Sequence, residues 1–132
     1  MPDQNNSGEY TIKWDDKNQI VRVKIIGKLE LKEAEAYREE ALALVSRLSD
    51  QGIKLNRILY DISEAKMPGP ATREVIGAVA KEVVEKTGGF KIAYISTDPV
   101  QTIIAKILDA FAGNKDAGYF KTEKEAINWL NN

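Results

Sequence analysis

The fold is decided by the stretch RILYDI at residues 57–62, near the middle of the chain. It is a nearly continuous apolar run, and such runs are typical of β-strands that are covered on both faces. A strand of this kind is buried only when other strands flank it and helices cover the sheet. We therefore predict that residues 57–62 form a central strand of an α/β domain.

Upstream of this run, apolar and polar residues alternate in two short segments. Alternation of period two is typical of half-buried strands, and the polar residues 15–18 between the segments favour a turn. The two segments therefore predict a β-hairpin that ends at Gly27. The alternating apolar positions are Tyr10, Ile12, Trp14, Val21, Val23 and Ile25.

Four other segments have apolar residues spaced by three and four, which is the pattern of an amphipathic helix. Asp98 is the predicted N-cap of the third helix, and Thr122 with Glu125 forms a capping box for the fourth. Glycine or proline marks most of the other helix ends. The predicted helices run from Glu30 to about Ser49, from Pro70 to Thr87, from Pro99 to a stop at Gly113 and Asn114, and from Thr122 to Leu130.

Short strands are predicted between the later helices at residues 90–95 and 118–120, and a loop is predicted at residues 63–69. The resulting element order is ββαβαβαβα. Helical connections between the later strands imply parallel pairing, whereas the opening hairpin is antiparallel. We predict an α/β fold with a mixed five-stranded sheet and four helices. It forms a single domain at residues 9–131, after a flexible N-terminal arm at residues 1–8.

The composition argues against several classes of function. The 132 residues include no cysteine and no histidine, which removes thiolate chemistry, the commonest general base and the commonest transition-metal ligand. We therefore expect no enzyme, no catalytic residues, no metal site and no cofactor. The 19 basic and 20 acidic residues are interspersed, so we expect no nucleic-acid partner either.

No stretch of the sequence is long and apolar enough to span a membrane, and the N-terminal residues are polar. These features predict a cytoplasmic protein without a membrane span.

The chain resembles a STAS-type domain, and more narrowly the SpoIIAA-like family. The resemblance covers residues 9–130 as a pattern of elements. Its most specific part is the ending YFKTEKEAINWL at residues 119–130, which is similar to the short strand, capping box and terminal Ala-x-x-Trp-Leu helix of that family. A second point is Gly27-Lys28-Leu29, where the family leaves its hairpin for the first long helix. The resemblance implies a regulatory module that binds a protein partner.

STAS domains that resemble anti-sigma factor antagonists carry a phosphorylatable serine at the start of the helix after the central strand, within Asp-Ser-Ser-Gly. Here the corresponding residues 69–72 read GPAT, so we expect no conventional phosphoserine switch. Thr72 and Ser63 are the nearest substitutes. The candidate partner or regulatory loop comprises Asp61, Ser63, Met67, Gly69, Thr72 and Arg73.

Other roles for the candidate residues stay open at this point. For Asp61, a cap that accepts backbone N–H bonds is the favoured role, and for Ser96, Thr97 and Asp98 a helix cap is favoured over catalysis, since no histidine is present to act as a base. The third helix has a broad apolar face, for which packing against the sheet is the default explanation. That face comprises Ile103, Ile104, Ile107, Leu108 and Phe111.

Two alternatives concern what the chain binds. The SpoIIAA-like resemblance extends in description to CRAL-TRIO lipid-binding domains, so the same apolar face suggests a small lipophilic ligand. The opening hairpin leaves a strand edge that could pair with another copy of the chain, which makes a homodimer an alternative to a monomer.

Overall fold

The computed structural model describes residues 8–112 and 116–132, without the side chains of residues 104 and 107–112. The predicted order ββαβαβαβα is confirmed. The strands are β1 (Glu9–Asp15), β2 (Ile20–Gly27), β3 (Arg57–Ala65), β4 (Lys91–Ile95) and β5 (Ala117–Phe120). The helices are α1 (Leu31–Asp50), α2 (Pro70–Thr87), α3 (Pro99–Ala112) and α4 (Glu123–Leu130). None of the described helices has the length and apolar character needed to cross a membrane.

The five strands form one mixed sheet in the order β1-β2-β3-β4-β5. The pair β1–β2 is antiparallel and all other pairs are parallel, as predicted. The residues 57–62 lie in the central strand β3, and both neighbours pair with it along most of its length. The run is apolar on both faces because both are covered: Tyr60 lies in a core on one face of the sheet and Leu59 in a core on the other.

The strand β3 is longer than predicted. The expected loop at residues 63–69 is wrong for its first three residues, because Glu64 and Ala65 pair with Ile26 and Gly27 of β2. A shift of register in β2 between Lys24 and Ile26 brings the two strand ends together. The polar residues at 63 and 64 suggested a loop, yet they are compatible with a strand whose outer face is not covered there.

The helices α1, α2 and α3 pack side by side on one face of the sheet, and α4 lies on the other. Right-handed connections between strands in sequential order place every crossover helix on the same face. The larger core therefore lies between the sheet and these three helices, and includes Leu48, Tyr60, Ile62 and Val79. A smaller core under α4 consists of Ile20, Leu59, Ala93, Ile95, Ala126 and Leu130.

Gly8 is the first described residue, and it is buried rather than part of a free arm. Its N–H donates to the carbonyl oxygen of Lys28 at 2.8 Å. A Cβ atom at position 8 would lie 2.6 Å from the backbone of Lys28, so only glycine fits there. The fold thus begins one residue before Glu9, and residues 1–7 of the predicted arm lie outside the described residues.

The turn between β1 and β2 is held by Asp15. Its carboxylate accepts hydrogen bonds from the side chain of Asn18 at 2.9 Å and from the backbone N–H of Asn18 at 3.1 Å, and it pairs with Arg22 at 2.7 Å. These bonds, first those of Asn18 and then that of Arg22, hold the pKa of Asp15 far below its ordinary value. Arg22 also pairs with Glu123 at 3.0 Å, so the hairpin is joined to α4.

The low pKa of Asp15 predicts how stability depends on pH. The carboxylate stabilises the fold above about pH 4, the ordinary pKa of an aspartate, and this contribution is lost as the pH falls further. Replacing Asp15→Asn should therefore lower the free energy of unfolding near pH 7 by about 1 kcal/mol, and the difference from wild type should shrink in acid. Urea unfolding of wild type and variant, near pH 7 and again in acid, measures the difference in stability. The control Asp50→Asn, at an exposed site, should change stability by less than about 0.5 kcal/mol; a loss at Asp15 that does not depend on pH would contradict the prediction.

The five tyrosines include a row across the larger core. The ring of Tyr60 lies 5.7 Å from that of Tyr94, which stacks on Tyr119 at 5.5 Å, because the three residues are in register on β3, β4 and β5. The hydroxyl of Tyr60 is buried, and no described group lies in good hydrogen-bonding geometry with it, although the hydroxyl of Tyr37 interacts with it more weakly. Burial also raises the pKa of Tyr60 well above its ordinary value.

A buried hydroxyl without a partner costs free energy, so its removal should stabilise the protein. We predict that Tyr60→Phe raises the free energy of unfolding by about 1 kcal/mol, measured by urea denaturation. Tyr10→Phe is the matched control, because the Tyr10 hydroxyl donates to Glu40 at 2.8 Å and its loss should not stabilise. A lower stability of Tyr60→Phe would show that this hydroxyl is satisfied in solution.

Candidate functional site

The strands β2, β3, β4 and β5 all end at one edge of the sheet, where the helices α1, α2, α3 and α4 begin. We call this the carboxyl edge. Open α/β sheets bind ligands outside this edge, because the loops there lie close together on a rigid support. The predicted partner loop lies here, since its residues come from the end of β3 and the start of α2.

Asp61 and Ser63 lie together near the end of β3. The Oδ1 atom of Asp61 accepts hydrogen bonds from the N–H of Ser63 at 2.9 Å and from its Oγ at 2.6 Å. Asp61 alternates along the strand with Tyr60 and Ile62, whose side chains lie in the larger core. Asp61 therefore points to the opposite face, away from α2, and its carboxylate acts as an acceptor for the backbone.

The loop of residues 66–69 is short and held at both ends. The N–H of Lys66 donates to the carbonyl oxygen of Gly27 at 2.9 Å, and the side chain of Met67 packs against the larger core. Arg73 donates from Nη1 to the carbonyl oxygen of Pro68 at 2.9 Å, and its N–H donates to Gly69 at 2.9 Å. The guanidinium of Arg73 thus fixes the loop from the first turn of α2.

The two substitutes for a phosphorylated serine differ in their surroundings. Thr72 is buried in the first turn of α2, with 4% of its surface exposed. Ser63 is half-buried, and its hydroxyl is engaged by Asp61. The structure therefore brings Asp61 and Ser63 together, and Gly69 and Arg73 together, but it does not bring the two pairs onto one face of the sheet.

The residues Ser96, Thr97 and Asp98 follow β4 at the same edge. The Oδ1 atom of Asp98 accepts the N–H of Gln101 at 3.0 Å, which confirms the predicted N-cap of α3. The hydroxyl of Ser96 lies 3.0 Å from that of Thr102 and is buried. These polar atoms therefore serve the start of α3.

Gln101 is a residue of this edge that sequence reasoning missed. Only 7% of its surface is exposed. Its Oε1 accepts the N–H of Thr97 at 2.7 Å and the Oγ1 of Thr97 at 3.1 Å, and its Nε2 donates to the carbonyl oxygen of Ser63 at 2.6 Å. One amide thus ties the start of α3 to the end of β3. The pattern Asp98-x-x-Gln101 resembles a capping box, so the sequence indicates that Gln101 helps to cap α3. It does not indicate the hydrogen bond from Gln101 to β3.

Large apolar side chains are exposed at the carboxyl edge. Among the described residues, four such side chains are more than about a third exposed, and each comes from the end of β2 or the start of α1 or α3. We call these four the apolar edge residues: Ile26 at 38%, Leu31 at 42%, Val100 at 58% and Ile103 at 53%. The rigid loop 66–69 and the start of α2 lie between the two pairs, since α2 packs between α1 and α3.

Of the five residues in the predicted apolar face of α3, only Ile103 has a described side chain. Ile103 is exposed to solvent, while its neighbour Ala105 is fully buried, so Ile103 does not point into the core. The side chains of Ile104, Ile107, Leu108 and Phe111 lie outside the described residues. An apolar cavity between the helices and the sheet, lined by Tyr37 and Tyr60 among others, measures about 40 Å³. Ligand pockets usually exceed about 300 Å³.

Charged groups at this edge are paired or exposed. Lys24 lies 3.1 Å from Glu64, and this hydrogen bond, followed by the negative charges of Glu64 and Asp61, raises the pKa of Lys24. Within the part of the chain that the structure describes, no three acidic side chains come together in a way that would hold a metal ion.

These features define an α/β domain with a mixed five-stranded sheet and a rigid, partly apolar carboxyl edge. The model of the SpoIIAA-like family matches residues 20–131, and the chain belongs to this family. The resemblance noted in the sequence is thereby confirmed. No curated protein matches the sequence significantly.

Several solved structures share the fold, including the following two. An anti-sigma factor antagonist from Mycobacterium paratuberculosis is 16% identical, with a TM-score of 0.62, and the match covers 96% of this chain and 97% of that one. A protein with a SpoIIAA-like fold from Shewanella loihica is 20% identical, with a TM-score of 0.64, and the match covers 98% of each chain. At these identities the likeness establishes the fold.

The bonds of Gln101 predict a specific loss of stability. Gln101→Ala would remove the side-chain partner of the Thr97 N–H and of the Ser63 carbonyl oxygen, both at part-buried positions, and should lower the free energy of unfolding by about 1 kcal/mol. The neighbouring exposed residue provides the control, since Val100→Ala should cost less than about 0.5 kcal/mol. Urea unfolding of both variants measures the difference, and equal stabilities would refute the role of Gln101.

Proposed function

We propose that this chain is a non-catalytic STAS-type regulatory module that binds a protein partner at its carboxyl edge, without a conventional phosphoserine switch. The partner contacts the apolar edge residues together with the loop 66–69 and the first turn of α2. The family and the fold, which is shared with an anti-sigma factor antagonist, support a regulatory role.

One observation carries this proposal: exposed apolar side chains lie on both sides of a loop that is already rigid. Exposed apolar groups that cluster on a surface are typical of protein interfaces. A loop fixed by Arg73 and Lys66 loses little conformational entropy when a partner binds, so more of the contact energy becomes affinity. Val100 and Ile103 are the most exposed of the four and are expected to contribute most to the contact.

The absence of catalysis is supported by the roles of the available side chains. The sequence has no histidine or cysteine, so Asp61 and Asp98 are the candidate acids or bases at this edge. Both carboxylates accept backbone N–H bonds, from Ser63 and Gln101 respectively. These bonds engage one oxygen of each carboxylate, and Asp98 does not line the open depression that Asp61 lines. Asp15 and Glu123 line that depression with Asp61, but both pair with Arg22.

The buried position of Thr72 and the engaged hydroxyl of Ser63 support a partner contact that is independent of phosphorylation. The cavity of about 40 Å³ does not favour a lipophilic ligand between α1, α2 and the sheet, although it is not lined by the α3 face that suggested this alternative. The protein partner is therefore the function that the geometry supports best.

A binding experiment tests the surface. We predict that the double variant Val100→Asp/Ile103→Asp loses at least about 90% of a partner that the wild type captures, because two buried charges in an apolar contact oppose binding by several kcal/mol. Quantitative mass spectrometry of proteins captured from the source cell identifies the partner. Titration calorimetry with the purified partner then measures the affinity.

The control variant carries a new charge at a distant site. Ser46 is exposed on α1, about 22 Å along that helix from Leu31. The variant Ser46→Asp should therefore bind the partner like wild type. Met67→Asp is less informative, because Met67 packs against the core and its change would disturb the fold. If every partner of the wild type also binds the double variant with unchanged affinity, the carboxyl edge is not the binding surface.

A further inference from the structure

The strand β1 forms one edge of the sheet. It pairs with β2 on one side, and no described strand lies on its other side. We propose that two copies of this chain pair through β1 in antiparallel fashion, about a twofold axis at Thr11, to form a continuous sheet. This inference goes beyond the partner contact at the carboxyl edge and does not depend on it.

Every second residue of β1 directs its backbone N–H and C=O away from β2, where no described strand pairs with them. The N–H of Gly8 points towards β2, because it donates to Lys28 at 2.8 Å. Backbone groups of successive residues in a strand point to opposite sides, so those of Glu9, Thr11 and Lys13 point away from β2. A second β1 in antiparallel orientation can accept and donate hydrogen bonds at these three residues.

The charges of β1 select one register. With the axis at Thr11, Glu9 of one copy lies opposite Lys13 of the other, and this attractive pair occurs twice. With the axis at Ile12, Glu9 would instead lie opposite Asp15, and two repulsive pairs would form. Glu9 and Lys13 are exposed, and neither forms an ion pair with another described residue.

The side chains of β1 that face the core are also suited to this pairing. Tyr10 and Ile12 pack against the larger core but remain half-exposed. In the proposed register Tyr10 of one copy lies opposite Ile12 of the other, and aromatic and β-branched residues make favourable cross-strand pairs. The Tyr10 ring is already oriented, because its hydroxyl donates to Glu40 and its edge meets Tyr37 at 5.6 Å.

Charge reversal tests the register directly. Sedimentation equilibrium over a wide range of concentration should show a dimer for the wild type. Glu9→Lys or Lys13→Glu alone creates two repulsive pairs and should raise the dimer dissociation constant at least about tenfold. The double variant Glu9→Lys/Lys13→Glu restores both attractive pairs and should return the constant to within about threefold of wild type.

Mixing the two single variants provides the sharpest result. A Glu9→Lys chain and a Lys13→Glu chain form attractive pairs only with each other, so an equimolar mixture should dimerise while each variant alone does not. Lys17→Glu, at an exposed position of the hairpin turn, is the matched control and should dimerise like wild type. Circular dichroism confirms that each variant is folded.

Two outcomes would overturn this inference. A wild-type chain that is monomeric at every concentration would show that β1 does not pair, and a dimer that survives both single reversals would show that it forms elsewhere. Either outcome leaves the proposed partner contact intact, because Val100 and Ile103 lie on α3, which does not pack against β1.

Discussion

The pairing of β3 with β2 and β4 is the constraint on which the rest of the structure depends. Parallel neighbours cannot be joined by a tight turn, so each connection must cross over the sheet as a helix. Because the strands follow one another in sequence and the connections are right-handed, α1, α2 and α3 lie on a single face. The same pairing collects the strand ends and helix starts at the carboxyl edge, where the exposed apolar groups lie.

Because α1, α2 and α3 all lie on one face of the sheet, only α4 among the described helices covers the opposite face. The helix α4 has eight residues and covers β3, β4, β5 and Ile20 at the start of β2, so the rest of the outer face of β2 and that of β1 carry mainly polar and charged side chains. An open depression of about 550 Å³ lies there, lined by Lys13, Arg22 and Asp61 among others. Arg22 bridges this face through Asp15 and Glu123, and so connects the hairpin to the last helix.

Local rules account for most of what could be predicted. The N-caps at Asp98 and Thr122 follow from side chains that reach N–H groups three residues ahead, and both are present. The end of α1 at Gln51 and Gly52 is also local, with Gly52 at a φ of 75°. Prediction failed at residues 63–65, where pairing with distant residues of β2 overrides the local preference of polar residues for a loop.

Only part of the candidate site could be predicted from local sequence rules. The sequence placed Asp61, Met67 and Arg73 at the correct edge, because strand and helix order determine which residues lie there. It did not predict that Asp61 and Thr72 lie on opposite faces of the sheet. It also did not predict that Met67 packs against the core. Those distinctions depend on which side of a strand or helix faces the core, and neighbours from other elements decide that.

The sequence by itself determined the order of elements, the mixed pairing and the main helix ends, since these depend on periodicity and on groups a few residues apart. The tertiary structure alone decided that Gln101 links α3 to β3, that Gly8 must be a glycine and that Ile103 is exposed. The reason is physical: a hydrogen bond or a close contact between residues far apart in the chain leaves no periodic trace in either segment. It exists only after the sheet has brought the segments together.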